Sequence, residues 1–275
     1  MKPPPFDYVQ PNTIDEVLSI LNNYGDDAQI IAGGQSIVSM LNMRLIKPKI
    51  LIDINFLKDS SYIISKNESV FIGPTYRQLD LEKRENTQND LPLLSEAISY
   101  VGHMQHRARG TVIGSICHGD PTSELPLCFL ALKGKITLRN KFRERKVNAS
   151  EFYLGPLITL REPNEIATEI EFPISQKKTG YAFEEISEKF GDFAIASFAA
   201  ITNKDKIRFA VGGVSDKPIA IEWENKKNIN LEDKLNEFSW SIDIFDNQHT
   251  SAKYKRDLLR KIGLKTINKA IERCY

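Results

Sequence analysis

The sequence predicts an α+β protein built from three compact units, and three observations carry that reading. A strand, a paired-glycine turn, a helix and a second strand follow one another within residues 1–56. Short β-rich runs broken by turn residues fill 57–175, and further strands with a long terminal helix make up 176–275. At 275 residues, 41% of them hydrophobic, the chain exceeds the usual single domain and has enough apolar side chains for a substantial core.

The elements follow in order. Thr13 and Glu16 have the spacing of a capping box, Val17, Leu18 and Leu21 share one helical stripe, and Gly25 stands where a C-terminal cap belongs, so a helix is expected over 14–24. A short strand at 28–31, the Gly33–Gly34 turn, the helical-looking SIVSMLNM and a strand at 49–54 complete a βαβ unit. From Ser61 onward the runs YIIS, SVFIG, KITLR and IATEIEFP suit a mainly antiparallel sheet, with one helix near Leu93 to Val101. The third unit has strands around YAFEEIS, FAIASFAAIT and IRFAVGGV, then polar connections. It closes with a helix over 251–273 that sets Tyr254, Leu258, Ile262 and Ile271 on one side. No internal repeat or low-complexity segment is present.

Two glycine clusters stand out chemically. AGGQSIVSMLNMRL, residues 32–45, joins a strand end to a helix start, and such a turn leaves backbone N–H groups free to face an anion, phosphate above all. RGTVIGSICHGDPTSELP, residues 109–126, sets Gly110, Gly114 and Gly119 among small hydroxyl residues and ends in Asp120 and Glu124. Hydroxyls and N–H groups suit a pyrophosphate, and a carboxylate accepts hydrogen bonds from ribose hydroxyls. Taken singly, either cluster is more often an ordinary tight turn.

Other features narrow the field. Acidic and basic residues nearly cancel, 36 against 37, so no nucleic-acid footprint is expected. The opening MKPPPFDYVQP lacks the apolar helix of a secretory leader and no segment is apolar for long enough to span a bilayer, so the expected location is the cytoplasm. Cys117, Cys128 and Cys274 form no CxxC pair, which argues against a disulfide framework or an iron–sulfur site in this chain. Cys117 and Cys128 sit in apolar company and read as core residues. His103 and His106 lack partners at ligand spacing and read as surface or structural residues, so no metal site is expected. His118 either hydrogen-bonds a bound group or holds its own loop. KFRERK, residues 141–146, reads as a solvated hairpin, and Lys177–Lys178 as an exposed connection.

Five stretches, in order and spacing, resemble the FAD-binding medium subunit of molybdenum-containing hydroxylases, the family of aerobic carbon monoxide dehydrogenase and its xanthine- and aldehyde-oxidising relatives. They are AGGQSIVSMLNMRL, TVIGSICHGDPTSELP, GDFAIAS, FAVGGV and SAKYKRDLLRKI, and together they span nearly the whole chain. The resemblance implies the PCMH-type bipartite FAD-binding fold shared with vanillyl-alcohol oxidase and p-cresol methylhydroxylase, followed by a C-terminal α/β domain of the CO-dehydrogenase flavoprotein type. By that resemblance Ile31, Ala32, Gly33, Gly34, Gln35 and Ser36 wrap the FAD pyrophosphate, and Thr111, Gly114 and Ser115 approach it from the other subdomain. His118 joins the cofactor-binding set, Asp120 and Glu124 fall at polar positions near the dinucleotide, and Leu160, Lys189, Asp192 and Phe193 fall where a third segment nears the flavin ring. The family usually reads T-I-G-G in the second loop. Here Ile113 precedes Gly114, and a position that needed φ > 0 would strain it and weaken FAD binding.

The implied function is electron transfer. A large partner carrying the molybdenum cofactor oxidises substrate, and a small partner with two [2Fe–2S] clusters passes electrons to the FAD of this chain. The FAD then delivers them to an external acceptor such as a quinone, NAD or dioxygen. The resemblance further implies dissociable FAD, a dimer of heterotrimers, and no catalytic acid, base or nucleophile in this chain. Two other readings stay open: a self-sufficient PCMH-fold flavin oxidoreductase, similar to the reductase acting on UDP-N-acetylenolpyruvylglucosamine, and a scaffold subunit without flavin. The substrate is not encoded here, because in such complexes its pocket lies in the molybdenum subunit.

Overall fold

The computed structural model describes residues 2–246 and 250–274. Strand β1 (Asp7–Val9), helix α1 (Ile14–Tyr24), strand β2 (Ala28–Ile31), helix α2 (Ile37–Asn42) and strand β3 (Ile50–Asp53) form the first unit. Its sheet is parallel, in the order β1-β3-β2, so β3 is central and all its residues are buried. β1 has no signature in the sequence, since its three residues are too few to show alternation. The Thr13 hydroxyl accepts from the Glu16 N–H, while Glu16 reaches back to the Asn12 N–H at 2.8 Å, one residue beyond a standard capping box. Val17, Leu18 and Leu21 of α1 pack on Ala28, Ile50 and Ile52.

The second unit begins with the hairpin β4 (Ile63–Lys66) and β5 (Ser69–Ile72). Six helices follow: α3 (Gln78–Lys83), α4 (Thr87–Asp90), α5 (Pro92–Ala97), α6 (Met104–Arg109), α7 (Val112–His118) and α8 (Glu124–Ala131). Next come β6 (Lys135–Arg139), β7 (Glu144–Asn148), α9 (Ala149–Phe152), the short pair β8 (Tyr153–Gly155) and β9 (Ile158–Thr159), and β10 (Ile166–Pro173). Five of these strands run antiparallel in the order β4-β5-β10-β6-β7. The helix expected to reach Val101 stops at Ala97. Phe129 of α8 sits edge-on to Phe152 and Phe172, with centroids 6.0 and 5.9 Å away. KFRERK does bracket a hairpin, β6–β7, but it is not wholly solvated. Arg145 forms a 2.8 Å ion pair with Glu165, whose side chain is 0% exposed.

The third unit is an antiparallel meander of β11 (Gly180–Ser187), β12 (Ala194–Thr202), β13 (Lys206–Gly212) and β14 (Ile219–Glu224). α10 (Leu231–Ser241) and α11 (Ala252–Glu272) follow it in the chain. α11 lies against β11 and β12 with α10 beside it, while α5 and α8 of the second unit pack on the same sheet. The inward side of α11 differs from the expected stripe: Lys255, Leu259, Gly263, Thr266, Ile267 and Ala270 are buried and Tyr254 is exposed, while Leu258, Ile262 and Ile271 flank the seam. Small residues set this face by letting the backbones meet, and a Cβ on Gly180 would lie 1.8 Å from the Ala270 carbonyl oxygen.

Candidate functional site

The two glycine clusters meet. Gly33 sits so close to the second unit that a Cβ there would lie 2.5 Å from the Arg109 carbonyl oxygen and 2.7 Å from Gly110 Cα. Gly34 adopts φ = 77°, a left-handed conformation that side chains resist. The chain therefore turns away from β2 without blocking the joint. Among the described residues, the N–H groups of Gly33, Gly34, Gln35 and Ser36 donate to no protein acceptor. Ile31 ends β2 half-buried behind this bend. α2 spans only six residues, so whatever the bend offers an anion comes from its uncommitted loop N–H groups more than from a helix dipole.

A polar chain fixes the bend from below. Asn55 Nδ2 donates to the Ala32 carbonyl at 2.7 Å, Asp53 Oδ1 accepts from the Asn55 N–H, and Tyr8 O–H donates to Asp53 Oδ2. Arg77 donates to both Asn55 Oδ1 and the Arg109 carbonyl, clamping the first bend to the second. These acceptors are neutral. Burial, then the nearby Arg109, lowers the Arg77 pKa, while Asp80 and Asp53 oppose the shift, so two guanidinium groups and two carboxylates share the joint. Sequence reasoning missed Asp53, Asn55 and Arg77, although Asp53 inside the apolar run ILIDI is an anomaly that a buried network explains.

The second cluster is mostly helix. Thr111 caps α7 by accepting from the Gly114 N–H at 3.1 Å, and Val112, Ile113 and Ile116 face the core. Ile113 therefore has ordinary helical backbone and carries no positive-φ strain. Gly114, Ser115 and His118 lie on the more open side of α7. The Val112 N–H is taken by the Tyr76 carbonyl and the Ser115 N–H by that of Thr111, so this arm offers surface and a hydroxyl more than a row of free N–H groups. Burial lowers the His118 pKa, with Asp120 opposing, which favours neutral imidazole. Asp120 Oδ1 accepts from the Thr122 N–H and hydroxyl at 2.8 and 2.6 Å. Glu124 starts α8 at 6% exposure, and burial pushes its carboxyl up to about 7.

The third segment is less unified. Lys189, Asp192 and Phe193 occupy the exposed β11–β12 loop, which rests on His103 where Gly191 meets its ring. His103 and His106 open α6, where the His103 N–H donates to His106 Nδ1 at 3.2 Å and the two rings stack with centroids 6.0 Å apart. Leu160 follows β9 and packs against the second unit's core. Its N–H donates to Phe152 and its carbonyl accepts from Arg145. Where the third unit faces α8, Glu185 pairs with Ser197 across the sheet, and both Glu185 carboxyl oxygens and the Ser197 hydroxyl are sealed from water without a partner. Free N–H groups, two guanidinium groups and acceptor carboxylates together fit a dinucleotide.

Residues 4–175 match the family described as the FAD binding domain in molybdopterin dehydrogenase. This chain belongs to that family. The FAD-binding family's relatives cover the whole chain: it is 33% identical to the 6-hydroxypseudooxynicotine dehydrogenase complex subunit alpha of Paenarthrobacter nicotinovorans, over 99% of this chain and 97% of that one. It is also 33% identical to the glyceraldehyde dehydrogenase medium chain of Sulfolobus acidocaldarius, over 96% and 98%. Among solved structures, carbon monoxide dehydrogenase from Hydrogenophaga pseudoflava superposes with a TM-score of 0.92 at 30% identity, covering 100% of both chains. Quinoline 2-oxidoreductase from Pseudomonas putida 86 gives 0.92 at 26%, again over 100% of both. The protein is thus an FAD-binding medium subunit of the molybdenum hydroxylase type, a component of an oxidoreductase. Among the described residues no cluster of metal-ligating side chains occurs and no helix is long and apolar enough to cross a membrane.

Proposed function

We propose that this subunit is the flavin relay of a three-part molybdenum hydroxylase. It receives electrons from the [2Fe–2S] clusters of a small partner, reduced in turn by a large molybdenum-cofactor partner, and releases them to an external acceptor. The observation that carries the reading is the seating of Gly33 on the Arg109–Gly110 peptide beneath four uncommitted N–H groups. Names such as medium chain and complex subunit alpha among the relatives support the existence of partners. Assembly as a dimer of heterotrimers in the cytoplasm, and the division at 1–56, 57–175 and 176–275, belong to the same reading.

FAD, when bound, supplies the capacity to accept and pass on electrons. The chain's own residues position it. The 33–36 N–H groups, with Arg77 beside them, would hold the diphosphate, and Ser115 and His118 on the open side of α7 would contact it from the second unit. The remaining oxygen of Asp120 and the Glu124 carboxyl accept from sugar hydroxyls. Phe193, exposed in the β11–β12 loop with Lys189 and Asp192, would cover the ring, and Leu160 would lend apolar wall. The chain purified by tag from its own cells tests this reading: it should carry about one FAD and bring down a complex containing molybdenum and iron. A flavin-free chain with no such complex overturns it.

A further inference from the structure

A cavity of about 250 Å³ lies where the meander meets the second unit, and none of its lining residues belongs to the glycine bends or to the groups assigned to the dinucleotide. Its floor is a single cross-strand row: Tyr181 pairs with Ile201, Ile201 with Arg208, and Arg208 with Glu222. The row crosses β11, β12, β13 and β14 and changes from aromatic through aliphatic to charged. Leu132 and Ile174, which follow α8 and β10, complete the apolar half, and Ile174, Tyr181 and Ile201 pack against the second unit's core. Lys133 and Lys206 stand at the charged half, both exposed, so the cavity opens to solvent there.

That half holds more cation than anion. Lys133 Nζ donates to Glu222 Oε2 at 2.8 Å, Lys206 Nζ donates to Oε1 at 2.5 Å, and an Arg208 nitrogen lies 3.6 Å from Oε2. Arg208 also donates to the Leu130 and Ala131 carbonyls at the end of α8, which fixes its guanidinium in place. The two lysines hold the Glu222 carboxyl down to about 2, so it is ionised at any working pH. Asp205 acts on Lys206 more weakly and does not line the cavity. Three cations against one carboxylate leave the lining with a formal excess of positive charge, and each ammonium keeps two of its three donors uncommitted to Glu222. An apolar floor that ends in spare cationic donors suits a guest with both characters. The volume lies below the roughly 300–1,000 Å³ of drug-sized sites, which restricts that guest to a small ring compound.

We propose that this cavity binds a small aromatic carboxylate, with the ring on Tyr181 and Ile201 and the carboxylate between Lys133 and Lys206. Its walls come from the second and third units together, so an occupant braces one unit against the other. The site is separate from the flavin reading above and shares no residue with it.

The full chain, titrated calorimetrically with cinnamate and with cinnamamide, its uncharged isostere, tests the proposal. Wild-type protein should bind cinnamate with a Kd of about 1 mM or tighter, at least about tenfold below that of the amide, and cinnamate should raise the melting temperature. Lys133→Met combined with Lys206→Met should weaken cinnamate at least about tenfold and leave the amide unchanged. Glu222→Gln, which removes the competing carboxylate, should tighten cinnamate instead. Ile201→Trp fills the apolar half and should abolish binding of both compounds. Melting curves without ligand report the folding of each variant separately. No binding of cinnamate to wild type, equal affinity for acid and amide, or cinnamate binding that survives loss of both lysines overturns the proposal. So does competition between cinnamate and FAD, which would place the ligand in the cofactor site. None of these outcomes touches the flavin reading.

Discussion

At the scale of single residues, the site depends on contacts too close for any side chain. Gly33→Ala forces a methyl group into the Arg109–Gly110 peptide, so the chain should lose about 1–3 kcal/mol of stability and bind FAD at least tenfold more weakly, read by denaturant melts and flavin titration. Glu124 makes a prediction with a definite sign. Its carboxyl is neutral up to about 7 in the folded chain against 4.5 as the ordinary value, so between those pH values the folded state keeps a proton that the unfolded state releases. Stability of the flavin-free chain should therefore fall as pH rises through that window, by up to about 1.4 kcal/mol per pH unit. Glu185 extends the fall toward about 9. Glu124→Gln should flatten the lower part of the slope in a pH series of unfolding curves; an unchanged slope would show that Glu124 ionises normally. The glycines, Asp120 and Glu124 could be picked out from the sequence because their residue types suit diphosphate and sugar. Asn55, Arg77, Glu185 and Ser197 could not, because their meaning comes from partners 20 or more positions away, or from having none.

At the scale of elements, legibility follows periodicity. α1 has an apolar stripe and both caps, and it forms over the expected residues. α8 is buried on all sides, and with no polar face its eight residues give no helical period to read. The inward face of α11 is likewise set by the sheet it meets, and Gly263 and Ala270 are buried there where larger side chains stand aside. Gly180→Ala should consequently push β11 from α11 and cost about 2 kcal/mol or more, visible as a lowered melting temperature. In the β6–β7 hairpin, Arg145→Ala leaves the buried Glu165 with only the Glu162 N–H and Arg143 at 3.9 Å, and should cost about 1–3 kcal/mol by urea unfolding. A loss near zero would show that Glu165 reaches water in solution.

At the scale of the whole molecule, the parallel sheet with the first bend meets the second unit at the Gly33 joint, and the meander packs on α5 and α8 of that same unit. The β-rich runs marked most strands of the main sheets in the sequence, but the mutual seating of those sheets depends on contacts between distant segments that no local pattern encodes. FAD, by bridging these units, should stabilise the chain by about 2.7 kcal/mol at a free concentration one hundred times Kd. Hydrogen–deuterium exchange with and without FAD tests the central claim most directly. Peptides covering 31–36 and 109–118 should both become protected on FAD addition; protection of only one of them, or of neither, would contradict a diphosphate held between the two bends.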